Sequence, residues 1–179
     1  ERCRPSCRFL SIGSGGGGDV LLALKNEARE VHALEVNPYI NRILSPGGML
    51  FDYSGKIYQD PRVRVITEDA RSYVRRFENR FEIIYSFSSN TFAALAGGAF
   101  ALAENYLFTT EAFGDYYRAL APQGYLLMEH QFYMNRMVSE ALDALRQAGL
   151  PNPERHLAVY SSPQTRRQQM LLGKRPLSA

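Results

Sequence analysis

The sequence is poor in cysteine, in net charge and in long apolar runs, and each shortage argues against a class of protein. Its 179 residues include two cysteines, which are too few for a disulfide scaffold and which fit a reducing compartment. The net charge of +3 does not indicate nucleic-acid binding without a clustered basic patch. The longest apolar segment, Phe92–Ala103, falls short of the ~18 residues that a membrane helix needs. The polar segment Glu1–Cys7 predicts no signal peptide. We therefore expect a cytoplasmic protein with no membrane span and no nucleic-acid partner.

What is present is a globular composition, with 45% hydrophobic and 22% charged residues. A chain of this length fits one domain. It contains no internal repeat and no linker, so we expect a single domain at residues 8–175, preceded by a ragged segment at residues 1–7. Cys3 and Cys7 are not accompanied by further zinc ligands, and we expect no metal.

Short β-rich runs alternate with helical stretches along the chain, which predicts βαβ units and a mostly parallel sheet. The predicted strands are Arg8–Ile12, Val31–Glu35, Val63–Ile66, Phe81–Tyr85, Tyr125–Glu129, His156–Tyr160 and Gln168–Gly173. The predicted helices are Asp19–Ala28, Pro38–Leu44, Asp69–Phe77, Thr110–Leu120 and Asn135–Ala148. We expect an α/β fold with a seven-stranded sheet, flanked by helices, in which the last strand is antiparallel.

Ligands bind such sheets outside the carboxyl ends of the strands, so the residues after each strand are the candidates for a site. Gly13–Asp19 follows the first strand and opens a helix. Glycine there lets the backbone approach a ligand closely and adopt positive φ; a flexible linker is the alternative. Glu35 ends the second strand, where a carboxylate accepts hydrogen bonds from both hydroxyls of a ribose. An exposed strand-end acid with no ligand is the alternative for Glu35.

Two further acids indicate which nucleotide this site takes. Asp19 would repel the pyrophosphate of a dinucleotide but would attract the cationic sulfonium and ammonium of S-adenosylmethionine. A helix cap is the alternative role for Asp19. Asp69, after the third strand, can accept from the amine of adenine while the neighbouring backbone N–H of Ala70 meets the ring. Asp69 can also cap the helix that follows it.

Five segments between Phe9 and Glu129 resemble the spermidine/spermine synthase-like family: GSGGGGDVLLAL, LEVNP, DPRVRVITEDAR, FEIIY and ENYLFTTEAFGDYYRALAPQGYLLME. The last most resembles the bacterial spermidine synthase-like branch, whose members are often parts of longer proteins. The resemblance implies the Rossmann-like class I methyltransferase fold and a cofactor of the S-adenosylmethionine type. It implies that Glu35 holds the ribose, Asp69 the adenine, and Gly13–Gly17 the methionine side. The full predicted cofactor-binding set is Gly13, Ser14, Gly15, Gly16, Gly17, Asp19, Glu35, Asp69, Ala70 and Ser86.

The sequence departs from the polyamine synthases of that family at two places and lacks their small N-terminal β-domain. Gly16 stands where their glycine loop carries an aspartate that faces the aminopropyl group. Polyamine synthases have an aspartate just after the fourth strand that helps to deprotonate the attacking amine. The corresponding segment here, Ser86–Asn90, contains no acidic residue. We therefore expect methyl transfer from S-adenosylmethionine to a small molecule as the main function. The runner-up is aminopropyl transfer from decarboxylated S-adenosylmethionine to a polyamine. Two functions of a different kind also stay open, a non-catalytic nucleotide-binding domain and a nicotinamide-dependent oxidoreductase.

Candidate catalytic residues follow the fourth and fifth strands. His130 is the candidate general base because the ordinary histidine pKa lies near neutrality, and a surface histidine without a role is the alternative. Tyr85 and Asn90 are the remaining two candidates, and Glu104, Tyr106, Glu129 and Gln131 are further groups on the substrate side. The apolar stretch Phe92–Leu102 is expected to roof the acceptor pocket or to form a homodimer interface.

Overall fold

A computed structural model of the chain describes residues 7–87, 106–130, 133–162 and 167–178. Four features singled out in the sequence lie outside these residues. They are the ragged segment 1–6 with Cys3, the apolar stretch Phe92–Leu102, the candidate Asn90, and the substrate-side groups Glu104 and Gln131.

The sheet has seven strands in the order β3-β2-β1-β4-β5-β7-β6. The strands are β1 (Arg8–Ile12), β2 (Glu30–Leu34), β3 (Val63–Ile66), β4 (Phe81–Phe87), β5 (Leu120–His130), β6 (Leu157–Ser162) and β7 (Arg167–Gly173). The first five strands pair in parallel, whereas β7 is antiparallel to both of its neighbours. This arrangement confirms the predicted α/β fold with an antiparallel last strand.

Five α-helices lie among the described residues, and a side chain caps the beginning of three of them. They are α1 (Gly18–Lys25), α2 (Pro38–Leu44), α3 (Ala70–Val74), α4 (Thr110–Ala119) and α5 (Met134–Gln147). Asn37, Asp69 and Thr109 cap α2, α3 and α4 by accepting a backbone N–H from within the first turn. Helix α1 ends before the predicted Ala28 because Glu27 adopts a positive φ of 62°.

The segment Pro122–Gly124, whose proline and glycine are typical of a turn, lies inside β5 and interrupts its pairing with β4. Leu120 pairs with Phe81, and regular pairing resumes only where Tyr125 meets Ile83. The strand pair therefore bulges at Pro122–Gly124, and β5 begins five residues earlier than the predicted Tyr125.

The hydrophobic core forms two clusters, one on each face of the sheet, because successive side chains of a strand point to opposite faces. Leu10, Ile84 and Leu126 contribute to the cluster that packs against α4 and α5. Phe9 and Val31 contribute to the cluster that packs against α1 and α2. Two short 3₁₀ turns, Ile57–Gln59 and Pro153–His156, complete the described structure. No helix in the described part of the chain is long and apolar enough to cross a membrane.

Candidate functional site

The glycine turn between β1 and α1 lies against the end of β2. The backbone N–H groups of Gly13 and Ser14 both donate to the carbonyl of Leu34, at 2.8 and 2.9 Å. Gly13, Gly15 and Gly17 adopt positive φ values of 72°, 46° and 77°, which side chains disfavour. The turn thus exposes backbone where β1 and β2 end.

A cleft of about 1150 Å³ opens at the carboxyl ends of β1 to β4, a volume that accommodates a nucleotide-sized ligand. Nine of the predicted site residues line it: Gly13, Ser14, Gly15, Gly16, Asp19, Glu35, Asp69, Ala70 and Tyr85. The structure therefore brings together, at one edge of the sheet, residues that the sequence spreads from position 13 to position 85.

Glu35 is held in a fixed orientation at the end of β2. Its Oε2 accepts a hydrogen bond from the N–H of Gly15 at 3.2 Å, and its Oε1 accepts from the N–H of Asn37 at 2.9 Å. A carboxylate oxygen has two lone pairs, so each oxygen keeps the capacity for one more donor. The glycine turn thus orients the carboxylate while leaving it able to bind two hydroxyl groups.

Asp19 faces the cleft from the first turn of α1. The hydroxyl of Ser11 donates to one carboxylate oxygen, and the N–H of Val20 donates to the other at 3.0 Å. Burial raises the pKa of Asp19, and the hydrogen bond from Ser11 only partly opposes this effect. The residue before α1 is Gly17, which provides no side-chain cap, so Asp19 does not act as the N-cap proposed as its alternative role.

Asp69 caps α3, as the sequence allowed, and it lies at the cleft, where its predicted role toward adenine stays a prediction. Its side chain accepts the N–H of Ser72 at 2.8 Å as the cap of α3, and it lines the cleft. Glu68 lines the cleft too and accepts from Arg76 at 2.6 Å.

The described residues lining the cleft include four acids, Asp19, Glu35, Glu68 and Asp69, and neither lysine nor arginine. Such a cleft favours a cationic ligand over one that carries phosphates.

Aromatic side chains form the wall of the cleft beyond Asp19. Tyr85 and Phe87 come from β4, and Tyr106 precedes α4. Burial, with smaller effects from Glu129 and Asp19, raises the pKa of Tyr85 to about 12. The Tyr85 hydroxyl is therefore protonated at neutral pH and can donate a hydrogen bond, but it is not a base there.

Three predicted residues do not line the cleft. Ser86 is 2% exposed, while its neighbours Tyr85 and Phe87 line the cleft from the opposite face of β4. Gly17 is buried behind the turn, against Ile57. The third is His130.

His130 is fully buried, which contradicts the surface position considered as its alternative. The N–H of Tyr133 donates to its Nδ1 at 3.1 Å, the ring of Phe108 packs edge-on against it, and burial lowers its pKa. The structure thus gives His130 a packing environment and does not bring it to the cleft as a base.

Two apolar residues of the site were not among those predicted from the sequence. Leu22 and Val36, both more than half exposed, lie on its rim. The position of Val36, directly after Glu35, was the available signal. In the described part of the chain, no group of three or more His, Cys, Asp or Glu side chains could hold a metal ion.

Comparison with known proteins identifies relatives that match about two thirds of the chain. A polyamine aminopropyltransferase of Alkaliphilus oremlandii is 30% identical over 123 residues, which are 68% of this chain and 39% of that protein. One of Clostridium botulinum is 28% identical over the same shares of the two chains. The chain thus spans about two fifths of the length of these curated relatives. No family model matches it.

Solved structures share the fold at lower identity. The spermidine synthase of Thermotoga maritima superimposes with a TM-score of 0.66 at 21% identity, over 97% of this chain and 56% of that one. A spermidine synthase in complex with the transition state analogue AdoDATO gives 0.70 at 21% identity over the same shares. Human methyltransferase-like protein 13, in complex with SAH, gives 0.65 at 13% identity, over 97% of this chain and 76% of that one. The chain belongs to the spermidine synthase-like family. Its fold is the class I methyltransferase-like fold of that family.

Proposed function

We propose that the cleft binds an adenosyl sulfonium donor and that the protein transfers an alkyl group from it to a small-molecule acceptor. The observation that carries this proposal is the acidic lining of the cleft, in which Glu35 is oriented by the glycine turn. A sulfonium is a cation whose adenosine carries ribose hydroxyls, so it matches both the charge and the fixed carboxylate. A nicotinamide dinucleotide would bring a pyrophosphate among four acids, which disfavours the oxidoreductase function.

Each part of the donor matches the chemistry of the residues at a different strand end. The adenine lies at Asp69 and Ala70, the ribose hydroxyls bind Glu35, and the sulfonium side lies between the glycine turn and Asp19. Asp19 has a raised pKa in the free cleft, and a bound cation would lower it again. Binding of the donor therefore favours the ionised form of Asp19.

Within this function, the relatives favour aminopropyl transfer from decarboxylated S-adenosylmethionine, because the curated relatives are named polyamine aminopropyltransferases. This reverses the order expected from the sequence, in which methyl transfer came first. Methyl transfer remains the second candidate for a specific reason. Gly16 and the acid-free segment Ser86–Asn90 stand where polyamine synthases carry two acids.

The aminopropyl reaction forms a C–N bond and breaks a C–S bond. The amine nitrogen attacks the carbon attached to sulfur, the bonding pair leaves with sulfur to give methylthioadenosine, and the new ammonium group loses a proton to solvent or to a base. The sulfonium supplies an activated leaving group. The residues of this chain orient the donor through Glu35 and hold the acceptor in line beside Tyr85 and Phe87.

Product analysis tests the proposal. The chain is incubated with putrescine and either donor, and methylthioadenosine and S-adenosylhomocysteine are quantified by mass spectrometry. We expect methylthioadenosine from the decarboxylated donor, and its formation should be reduced in the Glu35→Ala variant. S-adenosylhomocysteine alone would establish methyl transfer, and no product with any acceptor would favour a non-catalytic nucleotide-binding domain.

A further inference from the structure

An ion pair between a buried glutamate and a partly exposed arginine lies where β4 and β5 end, beside the aromatic wall of the cleft. Glu129 of β5 is directly opposite Phe87 of β4 and Gln169 of β7, so the three side chains share one face of the sheet. The carboxylate is 5% exposed. Arg167 donates to its Oε1 at 2.7 Å, and Gln169 donates to its Oε2 at 3.1 Å. Both carboxylate oxygens are therefore already bound by groups of the protein.

This ion pair is adjacent to the cleft. The guanidinium carbon of Arg167 lies 5.0 Å from the centre of the Phe87 ring, and Phe87 lines the cleft. Glu129 and Arg167 both act electrostatically on the hydroxyl of Tyr85, which lines the cleft too. In the sheet, β1 and β4 separate β5 from β2, which carries Glu35 at its end. The pair thus lies at the end of the site away from the ribose, where an acceptor would approach.

The described part of the cleft is lined by four acids and neither lysine nor arginine, and among the described residues Glu68 is the one lining acid that has an arginine partner, Arg76. Glu129, which lies beside the aromatic wall, has an arginine partner too, Arg167. A substrate ammonium that approached Glu129 would have to displace the guanidinium or remain close to it. Both arrangements cost free energy, because like charges repel and a guanidinium is a strong partner for a carboxylate.

We propose that Arg167 is a specificity-determining residue that occupies Glu129 and so disfavours polycationic acceptors relative to acceptors with one positive charge or none. The proposal rests on the proposed function, since it assumes that this end of the cleft receives the acceptor. Its basis is the geometry of the Glu129–Arg167–Gln169 cluster and its contact with Phe87. Removal of the positive charge should therefore strengthen the binding of polyamines relative to acceptors with fewer positive charges.

The test uses the net charge of the cluster as its variable and putrescine, a dication, as its probe. Putrescine affinity is measured by calorimetry with and without saturating methylthioadenosine. Arg167→Gln and Arg167→Met each give the cluster a net charge of −1. Arg167→Lys and the double variant E129Q/R167Q each keep it at zero, as in the unmodified protein.

We expect both variants of charge −1 to bind putrescine roughly tenfold or more tightly than the unmodified protein, and both neutral controls to bind within about twofold of it. Arg167→Met keeps an apolar contact with the Phe87 ring, so it tests the proposal even if Arg167→Gln fails to fold. The proposal is overturned if neither variant of charge −1 gains affinity, or if the neutral controls gain as much. Failure of the unmodified protein to bind methylthioadenosine would instead contradict the proposed function. The putrescine affinities of the variants measured without methylthioadenosine test the proposal about Arg167 by themselves. The two failures can therefore be distinguished.

Discussion

At the scale of single residues, two neighbouring glycines of the turn differ in whether a side chain could replace them. A Cβ on Gly17 would lie 2.3 Å from Cδ1 of Ile57, and the residue has a φ of 77°. A Cβ on Gly16 would meet nothing within 4 Å. We expect Gly17→Ala to lower the free energy of unfolding by about 1–3 kcal/mol and Gly16→Ala to leave it nearly unchanged. Urea denaturation of the two variants measures this difference, and equal losses would contradict the described turn.

Glu35 is the residue whose replacement should weaken donor binding most directly. Glu35→Ala removes an acceptor for both ribose hydroxyls and should cost about 1–3 kcal/mol, or roughly tenfold to a hundredfold in Kd. Calorimetry with the donor measures the change. Asp143→Asn is the control, because Asp143 is an exposed acid on α5 that pairs with Arg146 of the same helix at 2.7 Å. Unchanged affinity in Glu35→Ala would refute the ribose role.

Asp19 should make donor binding depend on pH. Burial raises its pKa in the free cleft, and the cationic donor favours the ionised carboxylate. Affinity should therefore fall as the pH decreases through this raised pKa, at pH values above the ordinary range of an aspartate. The variant Asp19→Asn should bind more weakly and lose that part of the pH dependence. A variant with the same pH profile as the unmodified protein would show that Asp19 does not face the cation.

The sequence predicted those cleft residues whose location follows directly from their position at the end of a strand. Glu35, Asp69 and the glycine turn meet at one edge because the carboxyl ends of parallel strands do so. Ser86 and His130 also follow or end strands, yet both are buried away from the lining of the cleft. Their orientation depends on the register of β4 and β5, in which a shift of one residue changes the face. Spacing in the sequence does not fix that register.

At the scale of elements, a buried histidine connects β2 to α3. The Nδ1 of His32 is 2.8 Å from the hydroxyl of Tyr73, and its Nε2 is 2.9 Å from Oε1 of Glu30. Burial lowers the pKa of His32, although Glu30 opposes the effect. These contacts give His32 a structural role between the two elements.

The lowered pKa of His32 has a consequence for stability. The unfolded chain binds a proton near pH 6.5, whereas the folded chain binds it only at lower pH, so stability should decrease as the pH falls below about 6.5. His130, whose pKa is also lowered by burial, adds to the same trend. Urea denaturation between about pH 7.5 and pH 5 measures the slope. His32→Gln should reduce the slope without abolishing it; an unchanged slope would contradict the account of His32.

Some boundaries of helices could be predicted from the local sequence alone. The beginnings of α2 and α3 follow from capping residues that the sequence displays, Asn37 and Asp69. The pairing of β5 was not predictable in this way, because its irregular segment is set by contact with β4. Gly124 illustrates this point, since a Cβ there would lie 2.6 Å from the carbonyl oxygen of Phe81. That constraint comes from a neighbouring strand and is invisible in the local sequence.

At the scale of the whole molecule, the alternation of strands and helices was enough to predict the sheet and the edge at which the cleft opens. The order of the strands, β3-β2-β1-β4-β5-β7-β6, places the ends of β1 and β2 at the centre of the cleft and the end of β5 beside its aromatic wall. In the proposed function, the donor would occupy the acidic half at β1 and β2, and the acceptor would occupy the half beside the Glu129–Arg167 pair. The identity of the acceptor depends on that second half, which the strand pattern alone does not describe.

The central claim is that the cleft binds an adenosyl sulfonium, and calorimetric titration of the chain with decarboxylated S-adenosylmethionine, S-adenosylmethionine and reduced nicotinamide dinucleotide tests it most directly. The account predicts saturable binding of one sulfonium donor per chain, tighter for the decarboxylated form, and no binding of the dinucleotide. Binding of the dinucleotide alone, or of none of the three compounds, would contradict it.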